Sequence, residues 1–228
     1  MIELSDPRFL NPAWHALQGP HRHLAIGGAA ACRYPADVAP FAAVQERSAE
    51  AQRQLHALLG VGESLWIADL PNHPRLRVEQ ELECVQMVLP SAAPLPPSGT
   101  DIVPLSGANA AEMVALTDVA FPGFFRPATY RMGSYAGIRR DGRLIAMAGE
   151  RLRLEGYPEL SGICTHPQHR GQGLAAGLIG HRVQAHRRAG LTSWLHVSAA
   201  NTTAIDLYRR LGFEPMRNIL LCRISRLE

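Results

Sequence analysis

Lysine is absent from this sequence of 228 residues, and all 23 of its basic side chains are arginine. A chain without lysine cannot form a Schiff base with pyridoxal phosphate, and it cannot carry a phosphate loop of the Gly-Lys-Ser/Thr type. Long apolar runs are absent as well, because no stretch approaches the length of a membrane-spanning helix. The first residues, Met-Ile-Glu-Leu-Ser-Asp, lack the basic and then apolar order of a signal peptide. We therefore expect a cytoplasmic protein without a membrane partner.

Cysteine and net charge are both low. The four cysteines show no paired spacing, which indicates free thiols in a reducing compartment rather than a disulfide framework. A net charge of +3 is too small to indicate nucleic-acid binding, so we expect no nucleic-acid partner. The 46% hydrophobic content is ordinary for a globular protein of one large or two small domains.

Proline divides the chain into two units. Residues 90–99 contain four prolines, which predicts a stiff linker between an N-terminal α/β unit (1–89) and a second unit (100–228). The first unit carries no chemical motif. Its patterns predict a short strand at 23–27, a helix from Ser48 to Leu59, and strands at 64–68 and 82–89 around a turn at 71–74.

The sequence of the second unit predicts a regular alternation of strands and helices. Asp141-Gly142 is typical of a two-residue hairpin turn. The predicted strands are 101–105, 135–139, 144–154, 159–165, 192–198 and 219–224, and the predicted helices are 109–120, 174–189 and 201–211. These elements predict a mixed α/β fold with a twisted, mostly antiparallel sheet of six or seven strands flanked by helices.

A glycine-rich loop lies at the centre of the second unit. The strand that ends at Thr165 is followed by Gln168-x-x-Gly171-x-Gly173 and then by an apolar helical pattern. Two glycines at this junction let the backbone turn sharply and direct several N–H groups to one point. The positive end of the helix dipole adds to them, so the loop is predicted to bind a pyrophosphate.

The loop alone does not decide between ligands. Gly171-x-Gly173-x-x-Ala176 also fits the dinucleotide-binding pattern, which places a carboxylate about 20 residues later to hold a ribose. No Asp or Glu occurs between Glu159 and Asp206, and four arginines lie in that interval. This composition favours a ligand with an additional phosphate, although a nicotinamide-dinucleotide oxidoreductase stays open as an alternative.

A second motif supplies a resemblance. It reads Asn201-x-x-Ala204-x-x-Leu207-Tyr208-x-x-Leu211-Gly212-Phe213. Together with Ile163-Cys-Thr-x-Pro167 and the glycine loop, it resembles the GNAT acyltransferases, which transfer acyl groups from coenzyme A to amines. The resemblance covers residues 100–228, and the closing motif is most similar to the glycine-N-acyltransferase-like branch. In that branch the N-terminal half can be a degenerate copy of the same fold.

The resemblance implies which residues contact the co-substrate, acetyl-CoA. The strand backbone would pair with the pantetheine arm, the loop amides would hold the pyrophosphate, and Arg170 would add charge at its rim. The implied contacts are Ile163, Cys164, Thr165, Gln168, Arg170, Gly171, Gln172, Gly173, Leu174, Ala175, Ala176, Asn201 and Tyr208. Independently of any ligand, Asn201 is also a good helix N-cap and Tyr208 a plausible packing aromatic.

The resemblance also implies catalytic residues. Tyr208 would donate a proton to the departing coenzyme A thiolate. His196 is a candidate base because an imidazole titrates near neutrality, and the strand alternation directs it to one face with Trp194 and Ser198. A semi-buried, structural histidine is the alternative reading. Glu159, at the start of the central strand, is a rival base or a residue that caps the preceding turn.

Cys164, His166 and His169 resemble a metal cluster, but no fourth ligand lies nearby in sequence, so we expect no metal. We expect direct attack of a primary amine on acetyl-CoA in a ternary complex. A coenzyme A sensor without turnover is a further alternative. The acceptor, a small molecule or a peptide amine, is expected to bind in a pocket built from residues 121–130 and the hairpin, and a contribution of the first unit stays open. A homodimer stays open as well.

Overall fold

Strands and helices alternate through residues 6–68 and 74–227, the parts of the chain that the computed structural model describes. The strands are β1 (Ile26–Gly27), β2 (Ala31–Arg33), β3 (Ala42–Val44), β4 (Ser64–Ala68), β5 (Leu76–Val88), β6 (Ile102–Leu105), β7 (Tyr135–Arg140), β8 (Arg143–Leu154), β9 (Tyr157–Thr165), β10 (Trp194–Ser198) and β11 (Glu214–Arg226). The helices are α1 (Pro7–Leu10), α2 (Pro12–Gln18), α3 (Ala49–Leu58), α4 (Ala110–Ala120), α5 (Leu174–Arg188) and α6 (Thr202–Arg210).

Eight of these strands form one sheet in the order β4-β11-β5-β10-β9-β8-β7-β6. Every neighbouring pair is antiparallel except β9 and β10, which run parallel. Strands β1, β2 and β3 form a separate small sheet. The predicted mixed α/β class with a mostly antiparallel sheet flanked by helices is confirmed, and the sheet is larger than the six or seven strands expected.

The additional strands come from the first unit. β5 lies between β10 and β11 and pairs with both, and β4 forms the edge beside β11. The large sheet therefore contains residues from both sides of the proline-rich segment 90–99. The division of the chain into units at 1–89 and 100–228 stays a prediction, and it does not coincide with a boundary of this sheet.

Several local predictions are confirmed by specific contacts. The Ser48 hydroxyl accepts a hydrogen bond from the Ala51 N–H at 3.2 Å and caps α3. The hairpin of β7 and β8 turns at Asp141-Gly142, as expected. The expected strand at 23–27 is largely wrong, since a 3₁₀ turn occupies Arg22–Leu24. The turn expected at 71–74 lies mostly outside the described residues.

The linker segment is packed against α5. The Gln184 side-chain N–H donates to the Pro96 carbonyl at 2.9 Å, and the Gly99 N–H donates to the Gly177 carbonyl at 3.1 Å. Arg187 of the same helix donates to the Pro90 carbonyl at 3.2 Å. These contacts fix α5 along the sheet and thereby fix the loop that precedes it.

The two faces of the sheet have different coverings. Helices α1 and α2 cover one face, where Phe9 packs edge-on against Trp194 at 5.1 Å between ring centres. Helices α5 and α6 cover the other, around Leu195 and Phe213. Within residues 6–68 and 74–227, no helix is long and apolar enough to cross a membrane.

Candidate active site

A gap opens in the middle of the large sheet. The parallel strands β9 and β10 are paired only at Glu159–Trp194 and Leu160–Leu195. Beyond these pairs, Ser161–Thr165 of β9 and His196–Ser198 of β10 run on without pairing to each other. A separated pair of parallel strands leaves backbone N–H and C=O groups free to bind an extended chain.

A bulge in β9 distorts the strand beside this gap. Its pairing with β8 shifts register between Met147–Cys164 and Gly149–Ser161. Gly162 lies in this interval with φ of +62°, a left-handed conformation that favours glycine. The bulge changes the direction of the backbone groups on the cleft side of β9.

The glycine loop continues from the end of β9. Gly171 and Gly173 have φ of +77° and +74°, and a Cβ atom at either position would meet no atom within 4 Å. The glycines are therefore needed for their conformation rather than for close packing. Gly173 caps α5 without a side-chain hydrogen bond, so the first N–H groups of α5 stay available for an anion. The sharp turn and the helix start without a side-chain cap that the sequence predicts are present, and phosphate binding by this loop stays a prediction.

One cavity of about 710 Å³ connects the loop, the gap and the interior. At one end it is lined by the loop, with Arg170, and by the start of α5, and Arg210 at the end of α6 is also part of the lining. The predicted site residues that line it are Ile163, Cys164, Thr165, Arg170, Gly171, Gln172, Gly173, Leu174, Ala175, Ala176, His196, Asn201 and Tyr208. Gln168 and Glu159 lie outside the lining, and Gln168 is exposed.

Helix α6 brings two predicted residues to the cavity. The Asn201 side-chain oxygen accepts from the Ala204 N–H at 3.1 Å, which confirms the N-cap and leaves its amide N–H groups for a ligand. Tyr208 is 8% exposed, and its hydroxyl has no hydrogen-bond partner within the described residues. Burial raises the pKa of Tyr208 to about 12, so the phenol is protonated at neutral pH.

His196 lies in a chain of buried hydrogen bonds. Its Nδ1 is 2.7 Å from Glu159 Oε1, and its Nε2 is 3.0 Å from the Gln86 side-chain nitrogen. The same Gln86 nitrogen donates to the Phe9 carbonyl at 2.8 Å. A carbonyl can only accept, so Gln86 must direct its NH₂ group towards both partners. His196 Nε2 is consequently the acceptor, and Nδ1–H donates to Glu159.

Glu159 is completely buried and fully paired. Arg151 binds it through two nitrogens, at 2.6 and 3.0 Å, and the Leu152 N–H donates to it at 2.9 Å. Burial alone would raise the pKa of this carboxyl, but the charge of Arg151 and the hydrogen bonds that Arg151 and His196 donate outweigh it and lower the pKa to about 2. Glu159 is therefore a carboxylate whose oxygens are already occupied by donors.

The suspected metal cluster is dispersed. Cys164 is 6% exposed, and burial raises the pKa of its thiol to about 12. His166 Nδ1 accepts from the Gln168 N–H at 3.3 Å. Across the described ranges, no group of three His, Cys, Asp or Glu side chains could hold a metal ion.

The sequence left open whether the first unit contributes to the pocket, and it indicated none of the residues involved. Leu82 and Cys84 of β5 line the cavity, and Gln86 of the same strand binds His196. The alternation of β5 directs these three side chains to one face. Arg151 and Arg210 also line the cavity and were not singled out. The apolar alternation of β5 indicated a strand, but nothing local indicated its neighbours.

Comparison with known proteins gives matches over both the second unit and the whole chain. The family model described as FR47-like protein matches residues 135–221. The ribosomal protein bS18-alanine N-acetyltransferase of Escherichia coli is 34% identical over 77 residues, which are 33% of this chain. The chain spans about half of the length of the curated relatives it matches, 51%.

Solved structures extend the similarity. A GCN5-related N-acetyltransferase from Kribbella flavida shares the fold, with a TM-score of 0.60 and 20% identity over 94% of this chain and 93% of that one. A GNAT-family protein from Novosphingobium aromaticivorans has a TM-score of 0.88 and 33% identity over 96% of this chain and 99% of that one. Because this identity extends over nearly the full length of both chains, the protein belongs to the GNAT family of acetyltransferases.

Proposed function

We propose that this protein transfers an acetyl group from acetyl-CoA to a primary amine by direct attack within a ternary complex. The observation that carries the proposal is the continuous cavity from the glycine loop, through the gap between β9 and β10, to Tyr208. A long, thiol-bearing nucleotide fits this path, with its anionic end at the loop. Much of the rate would come from holding the amine and the thioester in line.

The proposed co-substrate contacts follow the cavity. The amides of Gly171, Gly173 and the first turn of α5 would hold the pyrophosphate, with Arg170 and Arg210 adding positive charge. The free backbone of Ile163–Thr165 would pair with the amide groups of the pantetheine arm. A backbone N–H near Thr165 would polarise the thioester carbonyl.

Tyr208 is the proposed general acid. Tyr208 lines the cavity, its hydroxyl has no hydrogen-bond partner within the described residues, and it is protonated at neutral pH, so it can donate to the departing thiolate. Tyr208→Phe should lower kcat by about 100-fold with little change in coenzyme A affinity. Steady-state kinetics and titration calorimetry measure the two effects, and an unchanged kcat would contradict this role.

His196 has two proposed roles, and the geometry favours the second. As a general base, it would have to offer its Nε2 lone pair to the amine, but Gln86 already donates to that nitrogen. As a positioning residue, it would keep β9 and β10 in place through Glu159 and Gln86. Glu159 would then act only through His196, because donors occupy its oxygens.

The pH–rate profile separates these roles. Without a base on the enzyme, the acidic limb of kcat/KM follows the acceptor's own pKa, about 7.7–8.0 for a peptide α-amine and about 10.4 for a lysine-type amine. We expect this shift between the two acceptors. If His196 is the base, both acceptors share one limb, and that limb disappears in His196→Ala but not in Glu159→Ala.

The overall proposal is tested by binding and by turnover. Titration calorimetry should show binding of coenzyme A and acetyl-CoA, and a thiol-release assay over an amine panel should show amine-dependent release. Tight binding without release would favour a coenzyme A sensor. Release without any amine would indicate hydrolysis, and uptake of a nicotinamide nucleotide in place of coenzyme A would reject the proposal.

Finer assignments stay proposals. The motif at 201–213 supports the glycine-N-acyltransferase-like branch, and the partial match to an enzyme named for a ribosomal protein alanine supports a peptide amine as one acceptor class. The four cysteines are buried and none of them forms a disulfide bond, which supports a reducing, cytoplasmic location. The homodimer stays an open proposal.

A further inference from the structure

The cavity continues past the gap into a chamber with a floor and a roof. The floor is the face of β5 and β11 that carries Leu82, Cys84 and Leu221, with Leu82 paired directly opposite Leu221. The roof is the segment after α4, with Phe121 and Phe124. Because the proposed co-substrate enters from the glycine loop, this chamber lies on the side where the acceptor would approach.

Aromatic contacts hold Phe124 of the roof against the first unit and its neighbour Phe125 against β7. The ring of Phe124 stacks on Phe41 at 6.2 Å between ring centres and lies 5.2 Å from Trp66. Phe125, which follows it, packs edge-on against Tyr135 at 5.6 Å. Rings held on two sides cannot move aside at low cost, so the chamber keeps its shape and its apolar character.

The charge of the chamber has one sign. Among the described residues that line the whole cavity, none is Asp or Glu, whereas Arg151, Arg170 and Arg210 are arginine, and Arg170 belongs to the glycine loop at the other end. The carboxylate nearest to Arg151 is Glu159, which is fully buried and already bound by that arginine. A second ammonium group placed in the chamber would therefore lose water without finding a carboxylate.

From these observations we propose that the acceptor is a monoamine with an apolar, ring-sized substituent, and that amines with a second positive charge are excluded. The proposal rests on the proposed function, since it assigns the acceptor class of the same site. The amine nitrogen would lie at the gap near Tyr208, and the substituent would fill the space between Phe124 and Leu82.

The test compares three amines with acetyl-CoA: 2-phenylethylamine, butylamine and 1,4-diaminobutane. Burial of a ring is worth about 10- to 100-fold in affinity, so 2-phenylethylamine should exceed 1,4-diaminobutane in kcat/KM by at least about tenfold. Butylamine, which has the same chain as the diamine without its second charge, should lie between them. Equal or better use of the diamine would overturn the inference while leaving the proposed function intact.

A charge-installing variant sharpens the test. Leu82 is half-buried, so Leu82→Glu can place a carboxylate on the chamber floor, and Leu82→Gln is its matched neutral control. Leu82→Glu should reduce the preference for 2-phenylethylamine over the diamine by at least about tenfold relative to Leu82→Gln. An identical preference in both variants would contradict the assigned position of the acceptor.

Binding is measured separately from turnover. Each amine is titrated calorimetrically into the coenzyme A-loaded protein, so the preference is measured even if no thiol is released. Absence of release with all three amines would count against the proposed function. Tighter binding of the diamine would count against the acceptor class, whether or not release occurs.

Discussion

Two buried carboxylates on neighbouring strands have similar partners and different surroundings. Glu159 of β9 binds an arginine and a histidine in what we call the cleft network, completed by Gln86. Glu150 of β8 also binds an arginine and a histidine. Because Glu150 lies opposite Leu160, its side chain faces away from Glu159, towards α5.

The rear network consists of Glu150, Arg182, His186 and Ser193. His186 Nε2 is 3.0 Å from Glu150 Oε1, its Nδ1 is 2.8 Å from the Ser193 hydroxyl, and Arg182 contacts the same carboxylate oxygen. None of the four lines the cavity. Burial, charge and a paired histidine are therefore shared features, and only access to the cavity separates a candidate site from a structural network.

The largest expected effect is on the free energy of unfolding, and it should appear in both the cleft network and the rear network. Removing one partner of a buried ion pair costs about 3–5 kcal/mol, so Glu159→Ala and Glu150→Ala should both lower the free energy of unfolding by about this amount. Glu159→Ala should cost more, because Glu150 Oε2 has no hydrogen-bond partner within the described residues and only an ion pair with Arg153 at 3.9 Å, whereas Glu159 Oε2 accepts from the Leu152 N–H. Urea denaturation measures both, and a reversed order would contradict the comparison of their pairing.

The second expected effect is on acid stability. The folded-state pKa of Glu159 is lowered from 4.5 to about 2, so this carboxylate stabilises the fold above pH 4.5 and the stabilisation is lost as pH falls towards 2. The loss amounts to about 3 kcal/mol. Glu159→Gln should therefore be less stable at pH 7 but show a flatter stability curve below pH 4.5.

Other groups also make stability depend on pH, and their contribution has to be separated from that of Glu159. Burial lowers the pKa of His21 to about 4, so its protonation destabilises the fold between pH 6.5 and 4. That contribution is the same in both proteins, and the curves are compared below pH 4.5. Equal slopes there would show that Glu159 is not the strongly paired group.

The smallest expected effect separates the networks most clearly. His196→Gln and His186→Gln should cost similar stability, but only His196→Gln should lower kcat, by up to about 100-fold through misplacement of β9 and β10. The thiol-release assay measures kcat at saturating acetyl-CoA. A comparable loss of kcat in His186→Gln would mean that the rear network also supports the site.

Local chemistry allowed the conformation of the glycine loop and the start of α6 to be predicted. The conformations of Gly171 and Gly173 and the N-cap at Asn201 depend on residues within a few positions, and the structure confirms them. The hairpin turn at Asp141-Gly142 likewise depends only on neighbouring residues. A sequence motif describes such features because the interactions that stabilise them are short in range.

The chamber and the cleft network could not be predicted in this way. Gln86 and His196 are 110 positions apart, and they meet only because β5 enters the sheet between β10 and β11. The alternation of β5 predicts a strand, but a strand does not specify its neighbours. The tautomer of His196 depends in turn on the Phe9 carbonyl, which no pattern near His196 could indicate.

The position of β5 also determines the order in which the chain can fold during synthesis. Residues 76–88 leave the ribosome before either neighbour, residues 194–198 and 214–226, has been made. The two edges of β5 therefore stay unpaired until residues 194–198 and 214–226 have been made. Such long-range pairing slows folding. A nascent chain arrested at residue 190 would expose this strand on both sides, where it could pair with other molecules.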